Sequence, residues 1–398
     1  IDGKTAGSHI GGYLPFSLDI TDFLPDENTP DFELLLCVQD LSDTSWHSRG
    51  KQKLKRGGMF YNAQSGIWQT VWMEEVPASH ISSVRITPDF DHACCRILVH
   101  LTGDKNAPRI LQASIRPETK QDARLRDRPS FLRGQAPDSA LFTVSITAGR
   151  ETTVSLPDFH PWTPEDPFLY HLTLETQEDR VECYFAMRQC DIRTDKQGLP
   201  RLYLNHVPYM QTGVLDQGYW PDGLYTAPCD AALQYDILTM KSLGFNMLRK
   251  HIKIEPQRWY YHCDRLGMLV WQDMVCGGTS YRHWFVTYLA TLFNALHLTI
   301  PDGPASYSLL SRREKEGRRQ FYREMRDAVR TLFNHPSIVC WVPFNEGWGQ
   351  FDAQKAADIL RSLDPSRLID HASGWFDQKA GDLASLHYYF FSLKIRPE

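Results

Sequence analysis

Beyond Leu202 the sequence settles into a repeat of short apolar runs and amphipathic segments, and nothing else in it narrows the possible folds so far. Residues 207–214 read as a strand and 230–243 as a helix that Gly244 ends in the usual stop position. Residues 246–251 give a second strand. Glu255-Pro256 opens a helix through Arg265 that Gly267 stops, and 268–271 is a wholly apolar third strand. A long helix is expected over 312–333, with Phe321, Met325, Val329, Leu332 and Phe333 on one face. Asn334-His335-Pro336 breaks it and leads into a fourth strand, 338–344. A helix over 351–363, closed by Asp364-Pro365, separates this strand from a fifth at 368–371, and a sixth follows at 383–389. Strands apolar on both faces and alternating with helices are the signature of a parallel (β/α)8 TIM barrel. Six strands are visible where eight are needed, so 193–398 is expected to be a barrel incomplete at its C-terminal side.

Upstream the period is that of strands. Residues 1–78 carry apolar runs such as Glu33-Leu34-Leu35-Leu36-Cys37-Val38 and alternation over Ile67-Trp68-Gln69-Thr70-Val71-Trp72-Met73. Turn chemistry at Gly11-Gly12, Asp26-Glu27-Asn28 and Gly57-Gly58 separates them, as an antiparallel sandwich requires, although there are too few strands to close one. Residues 79–192 hold strand candidates at 84–86, 96–101, 141–146, 152–156, 169–174 and 181–186, whose short spacing suggests an immunoglobulin-like β-sandwich. Between them, 116–133 clusters Arg124, Arg126 and Arg128, but Glu118, Asp122 and Asp127 dilute the charge, so a solvated loop is favoured over an anion site.

A chain of 398 residues fits about two or three domains. Its net charge of -5 argues against nucleic acid as a partner, and the Arg residues of 312–333 are interleaved with Glu314, Glu316 and Glu324, as on a solvated helix face. No apolar run approaches the roughly 18 residues that would span a membrane. Nine scattered cysteines with no CxxC pair signal neither zinc nor a disulfide framework, which fits a reducing cytoplasm. The chain begins at Ile1 rather than Met and is expected to be a fragment. A homo-oligomer is left open.

In a parallel barrel the chemistry sits at the carboxyl ends of the strands. Read that way, Asp216 follows strand one, Arg249 closes strand two, Asp273 follows strand three, and Asn345-Glu346 ends strand four. His371 to Trp375 follow strand five, and His387 lies on strand six. Carboxylates, an Arg, an amide, His and aromatics suit a polar, ring-shaped ligand, and a sugar is the natural candidate. Glycoside cleavage needs a protonated acid at the leaving oxygen and a second carboxylate across the ring. Glu346 fits the first role, with Trp341, Phe344 and Trp348 expected to wall it and raise its pKa. Asn345 is placed to bond a ring hydroxyl, and Trp375 or Trp220 to stack on a sugar face. Each has a plainer reading: Trp220 as a loop plug, Arg249 as an internal ion pair, His262 as structural, His387 as a satisfied core histidine.

Phe344-Asn345-Glu346-Gly347-Trp348-Gly349 resembles the acid/base motif of glycoside hydrolase family 2. Leu248-Arg249-Lys250-His251, with Tyr260-Tyr261-His262-Cys263-Asp264-Arg265-Leu266-Gly267 after it, resembles that family's second barrel strand and helix. Gly66-Ile67-Trp68-Gln69-Thr70-Val71-Trp72 resembles its amino-terminal sugar-binding jelly roll, which makes 1–78 a partial jelly-roll domain. Trp162-Thr163-Pro164-Glu165-Asp166-Pro167-Phe168-Leu169-Tyr170 resembles the sandwich domain that follows. The resemblance implies a retaining exo-β-glycosidase of the β-galactosidase, β-glucuronidase and β-mannosidase group, with Glu346 as acid/base and Arg249 and Asn345 lining the sugar subsite. The family nucleophile is a Glu in a Glu-aromatic-Gly-Gly setting at the end of strand seven, and no such motif occurs here; Glu398, after Arg396-Pro397, does not match it. The nucleophile is therefore expected beyond Glu398, with Asp273 or Asp370 as weaker substitutes. A non-catalytic carbohydrate-binding protein on a degenerate barrel is the alternative. Lesser departures are Ala186 before Arg188 and His206 after Asn205. Asp273 to Gly278 offers no Glu-x-His pair, so no metal or other cofactor is implied.

Overall fold

The computed structural model describes residues 1–24, 31–103, 109–119, 142–282, 284–296 and 298–389. Its centre is a sheet of five parallel strands in chain order, β1 (Gly213–Asp216), β2 (Met247–Lys250), β3 (Leu269–Asp273), β4 (Ile338–Val342) and β5 (Leu368–Ile369). Helices α1 (Asp230–Ser242), α2 (Gln257–Leu266), α3 (Lys315–Leu332) and α4 (Ala353–Leu363) connect them. Every residue of β4 is buried, as a strand covered on both faces must be. Gly267 ends α2 at φ +74, and a Cβ there would stand 2.2 Å from Pro164 O, so both backbone and space demand glycine.

Within the barrel, two strand expectations are corrected. Within 207–214 only Val207–Pro208 and the start of β1 are strand, and the former pairs antiparallel with Pro200–Leu204. Residues 383–389 form no strand. Leu383, Ser385 and His387 face inward and Ala384, Leu386 and Tyr388 outward, so the period of two is present, but no ladder partner is engaged among the described residues. Side-chain bonds hold this segment instead, such as Ser385 Oγ donating to Asp370 Oδ2 at 2.6 Å.

The sandwich is seen as two antiparallel sheets, Ser79–Asp89, Cys94–Gly103 and Thr152–Ser155 against Phe142–Thr147, Ile110–Pro117, Tyr170–Glu175 and Arg180–Phe185. They share one core, from Ile97 and Val99 to Ile115 and Leu172. Ile110–Pro117 is a strand the sequence reading omits. Arg124, Arg126 and Arg128 lie outside the described residues, as do Asp26-Glu27-Asn28 and Glu398. Cys190–Thr194 runs through the boundary drawn at 192/193 and pairs with Pro200–Leu204, joining sandwich to barrel. Arg188 donates to the carbonyls of Pro336, Ile338 and Ser366, which docks the sandwich at the amino ends of β4 and β5, away from the strand ends that carry chemistry.

The expected strands at 33–38 and 67–73 do not form, and among the described residues 1–78 has no sandwich. Leu35, Val71, Trp72 and Met73 are exposed by 78%, 66%, 69% and 66%, so no second layer covers an apolar face, and an uncovered strand is unstable. The segment lies along the barrel instead, with Tyr13 buried in its core cluster and Trp68 packed against it. Among the described residues no helix is long and apolar enough to cross a membrane.

Candidate active site

Alternation along β2 decides which charges meet. Arg249 and Lys250 are neighbours in sequence and therefore point to opposite faces of the sheet. Lys250 turns toward α2, where its Nζ lies 4.2 Å from the centre of the Trp259 ring and pairs with Asp216 and Glu255 at 2.8 and 2.9 Å. Asp216 thus belongs to a cluster on the helix side and is not part of the site, a correction to the sequence reading. Arg249 turns inward. Its Nε and Nη2 donate to the two oxygens of Asp273 at 2.9 and 3.1 Å, Nη2 also to Asn345 Oδ1 at 2.9 Å, and Nη1 to Ser373 Oγ at 2.8 Å. The expected internal ion pair therefore forms, and it lies against Asn345. His251 Nδ1 approaches Asp273 to 2.6 Å from the other side. Burial alone pushes the Asp273 carboxyl up, but the Arg249 charge and His251 outweigh it and hold it below the usual carboxylate range.

Glu346 is set by the step from β4 to the next loop. Ser373 N donates to Phe344 O at 2.9 Å and Glu346 N to Ser373 O at 2.8 Å, a bridge that extends the β4–β5 alignment past both strands. Glu346 then adopts φ +51, a left-handed conformation that costs a non-glycine residue about 1–3 kcal/mol and often marks functional positions. Gly349 follows at φ +65, and a Cβ there would stand 2.4 Å from Gly277 O. The Glu346 side chain meets residues 387–389: His387 Nδ1 is 2.7 Å from Oε1, and the Tyr389 hydroxyl donates to the same oxygen. His387 Nε2 is 3.2 Å from Ser373 Oγ, so one chain of contacts runs from Asp273 through Arg249, Ser373 and His387 to Glu346.

Two members of the expected apolar wall, Trp341 and Phe344, turn away from Glu346. Trp341 Nε1 donates to Asp364 at 2.9 Å on the α4 side, and Phe344 stacks on Phe321 of α3 with centroids 5.1 Å apart. Burial still pushes Glu346 up, but the bonds from His387 and Tyr389 and the His387 charge outweigh it, so its pKa lies below the ordinary glutamate value rather than above. Trp375 is 5% exposed in a cluster with Phe285, Leu310, Trp348 and Phe376, so it is packing rather than a stacking platform. Trp220 packs against the barrel core, which supports the loop-plug reading. His262 Nε2 lies 2.9 Å from Asp230 and ties α2 to α1, a structural role as expected. His387 is brought against the Glu346 carboxyl. Asp370 is fully buried, and burial raises its carboxyl, with Ser385 opposing.

Sequence reasoning missed that His251, Ser373 and Tyr389 join this cluster. All three lie within or beside segments already singled out, where parity with Arg249 and proximity to His387 were the available signals. Among the described residues no group of three or more His, Cys, Asp and Glu is arranged to hold a metal ion.

Two models of one family match the chain, glycosyl hydrolases family 2, TIM barrel domain, over residues 203–396, and glycosyl hydrolases family 2 over residues 79–188. A β-galactosidase of Aeromonas hydrophila is 27% identical over 96% of this chain and 33% of its own length. A putative β-glucuronidase of Formosa agariphila is 21% identical over 92% of this chain and 40% of its own. The chain thus spans 33% and 40% of the length of these two relatives. Among solved structures, Parabacteroides merdae β-glucuronidase with glycerol in its active site superposes with a TM-score of 0.59 at 16% identity, over 92% of this chain and 43% of that one, a likeness of fold.

Proposed function

The chain belongs to glycoside hydrolase family 2, and from that premise we propose that it carries the acid/base centre of a retaining exo-β-glycosidase that hydrolyses terminal β-linked sugars by double displacement. The observation that carries this reading is the convergence of Asn345-Glu346, Arg249-Asp273 and His387 on one barrel mouth, with Glu346 buried at the end of β4. Glu346 protonates the leaving oxygen, then deprotonates the water that releases the sugar. Asn345, fixed by Arg249, presents its amide to a ring hydroxyl. Asp273 is fully engaged by Arg249 and His251, which argues against its serving as nucleophile. The nucleophile is proposed to be a Glu on a later strand. Its negative charge would raise Glu346 into the protonated form the first step needs, and glycosylation would remove that charge and return Glu346 to a base.

One observation favours the second reading, a non-catalytic carbohydrate-binding protein: Oε1 of Glu346 is already engaged by both His387 and Tyr389. Aryl β-glycosides assayed with the full-length protein and with Glu346→Gln decide between them. Loss of a general acid/base lowers the rate by about 10²–10⁴-fold. Leaving groups that need no proton are spared at the first step. Equal rates in the variant, or binding with no hydrolysis by the full-length protein, sink the enzymatic reading.

A further inference from the structure

The N-terminal segment delivers a charged group to the barrel mouth that the mechanism above does not use. The N–H groups of Arg49 and Gly50 both donate to Cys276 O, at 2.9 and 3.0 Å, and Ser48 bridges Gly277, which fixes the segment to the loop after β3. Gly50 permits this approach: it sits at φ +61, and a Cβ there would lie 2.6 Å from Ile252 O. Tyr61 N donates to Lys51 O at 2.9 Å, holding the next residue from the other side. The Lys51 side chain is half-buried and shares a cavity with Asn345, Trp348 and Tyr281.

Lys51 differs from the other lysines nearby. Lys250 pairs with Asp216 and Glu255, and Lys253 with Glu255. Among the described residues the Lys51 ammonium has neither a carboxylate within ion-pair distance nor a hydrogen-bond acceptor. Arg49 and Arg312, beside Tyr281 and Cys276, add positive charge bonded to backbone carbonyls alone. Burial holds the Lys51 amine below the ordinary lysine value, with Glu346 the foremost charge acting in the opposite direction.

An ammonium partly withdrawn from water, with no protein partner among the described residues, gains more from an arriving anion than from neutral hydroxyls. We propose that Lys51 is a specificity-determining residue that receives the carboxylate of a uronic acid, which makes the substrate class a β-linked uronide; this rests on the glycosidase reading. One ammonium balances one carboxylate. Asn345 lines the same cavity as Lys51 and adjoins Glu346, so a carboxylate received by Lys51 belongs to a ligand at this barrel mouth.

The test compares kcat/KM of the full-length protein on aryl β-glucuronide and β-galacturonide with that on aryl β-glucoside and β-galactoside. The expected result is a preference for uronides whose uronide-to-neutral ratio falls roughly 100-fold in Lys51→Ala, the scale of a lost buried charge pair. Lys51→Arg, which keeps the charge, retains part of the preference and reports that the fold is intact. A wild-type preference for neutral sugars, or an unchanged ratio in Lys51→Ala, overturns the role of Lys51 and leaves Glu346 untouched. If no glycoside is hydrolysed, the glycosidase reading fails separately, and calorimetric titration with D-glucuronate decides on Lys51. Binding weakened in Lys51→Ala supports it, and absent or equal binding overturns it.

Discussion

Replacing Arg249 by leucine tests whether charge pairing holds the site together. The guanidinium binds both oxygens of Asp273 and gives its other donors to Asn345 and Ser373. Asp273 is 1% exposed, so water cannot take the place of the lost partner, and the carboxylate is left with His251. Removing one member of a buried pair costs about 3–5 kcal/mol, and leaving the Asn345 oxygen without its donor about 1–3. The two losses share one side chain and do not add, so the expected destabilisation is about 4 kcal/mol. The pH dependence has a definite sign. In the wild type the folded-state pKa of Asp273 is depressed, so its contribution is present above the unfolded-state pKa and lost as pH falls through the folded value. Without Arg249, burial dominates and raises the folded-state value above the unfolded one, so the variant loses stability as pH climbs between the two. The deficit is therefore largest at neutral pH and shrinks toward acid. Urea unfolding followed by tryptophan fluorescence, at about pH 7 and about pH 4, measures it. A deficit under about 1 kcal/mol at neutral pH, or one that grows on acidification, refutes the reasoning.

Two further outcomes follow from the same contacts. Tyr389→Phe removes one of the two described donors on Glu346, so the carboxyl pKa rises and the alkaline limb of the kcat/KM profile moves up, by roughly one unit or less for a single hydrogen bond. An unmoved limb would show that Tyr389 does not tune Glu346. Asp264 is fully buried at the junction of sandwich and barrel, accepting from the Tyr184 hydroxyl and Ser337 N and lying 2.7 Å from His335 Nδ1. Asp264→Ala should therefore cost about 3–4 kcal/mol by thermal or urea unfolding while the uronide-to-neutral ratio stays as it was.

The sequence was most informative where the structure is local. The run 338–344 ending on Asn345-Glu346 needs no distant partner to be recognised, since its apolar content and the glycines after it belong to one short segment. The helices around Asp230, Gln257, Lys315 and Ala353 were legible for the same reason, because apolar spacing and stop residues act within a few positions. The extended segments were not: 383–389 and 67–73 both show alternation, yet a strand exists only if a partner supplies its ladder, and neither finds one among the described residues.

The site divides along the same line. Sequence alone singled out Arg249, Asp273, Asn345 and Glu346, because each falls at or beside a recognisable strand end, and His387 by alternation in a segment that forms no strand. It did not determine which of these groups touch. Register parity sent Asp216 to the helix side with Lys250 and brought Arg249 to Asp273 and Asn345. The fold also turned Trp341 and Phe344 away from Glu346 and put His387 and Tyr389 against its carboxyl, whose bonds reverse the sign of its pKa shift. Lys51 reaches the site across 225 residues of sequence, by backbone bonds from Arg49 and Gly50 to Cys276 that no local pattern records. Propensity and periodicity act over a few residues, whereas the protonation and pairing of a buried group depend on whatever the fold brings within a few ångströms of it.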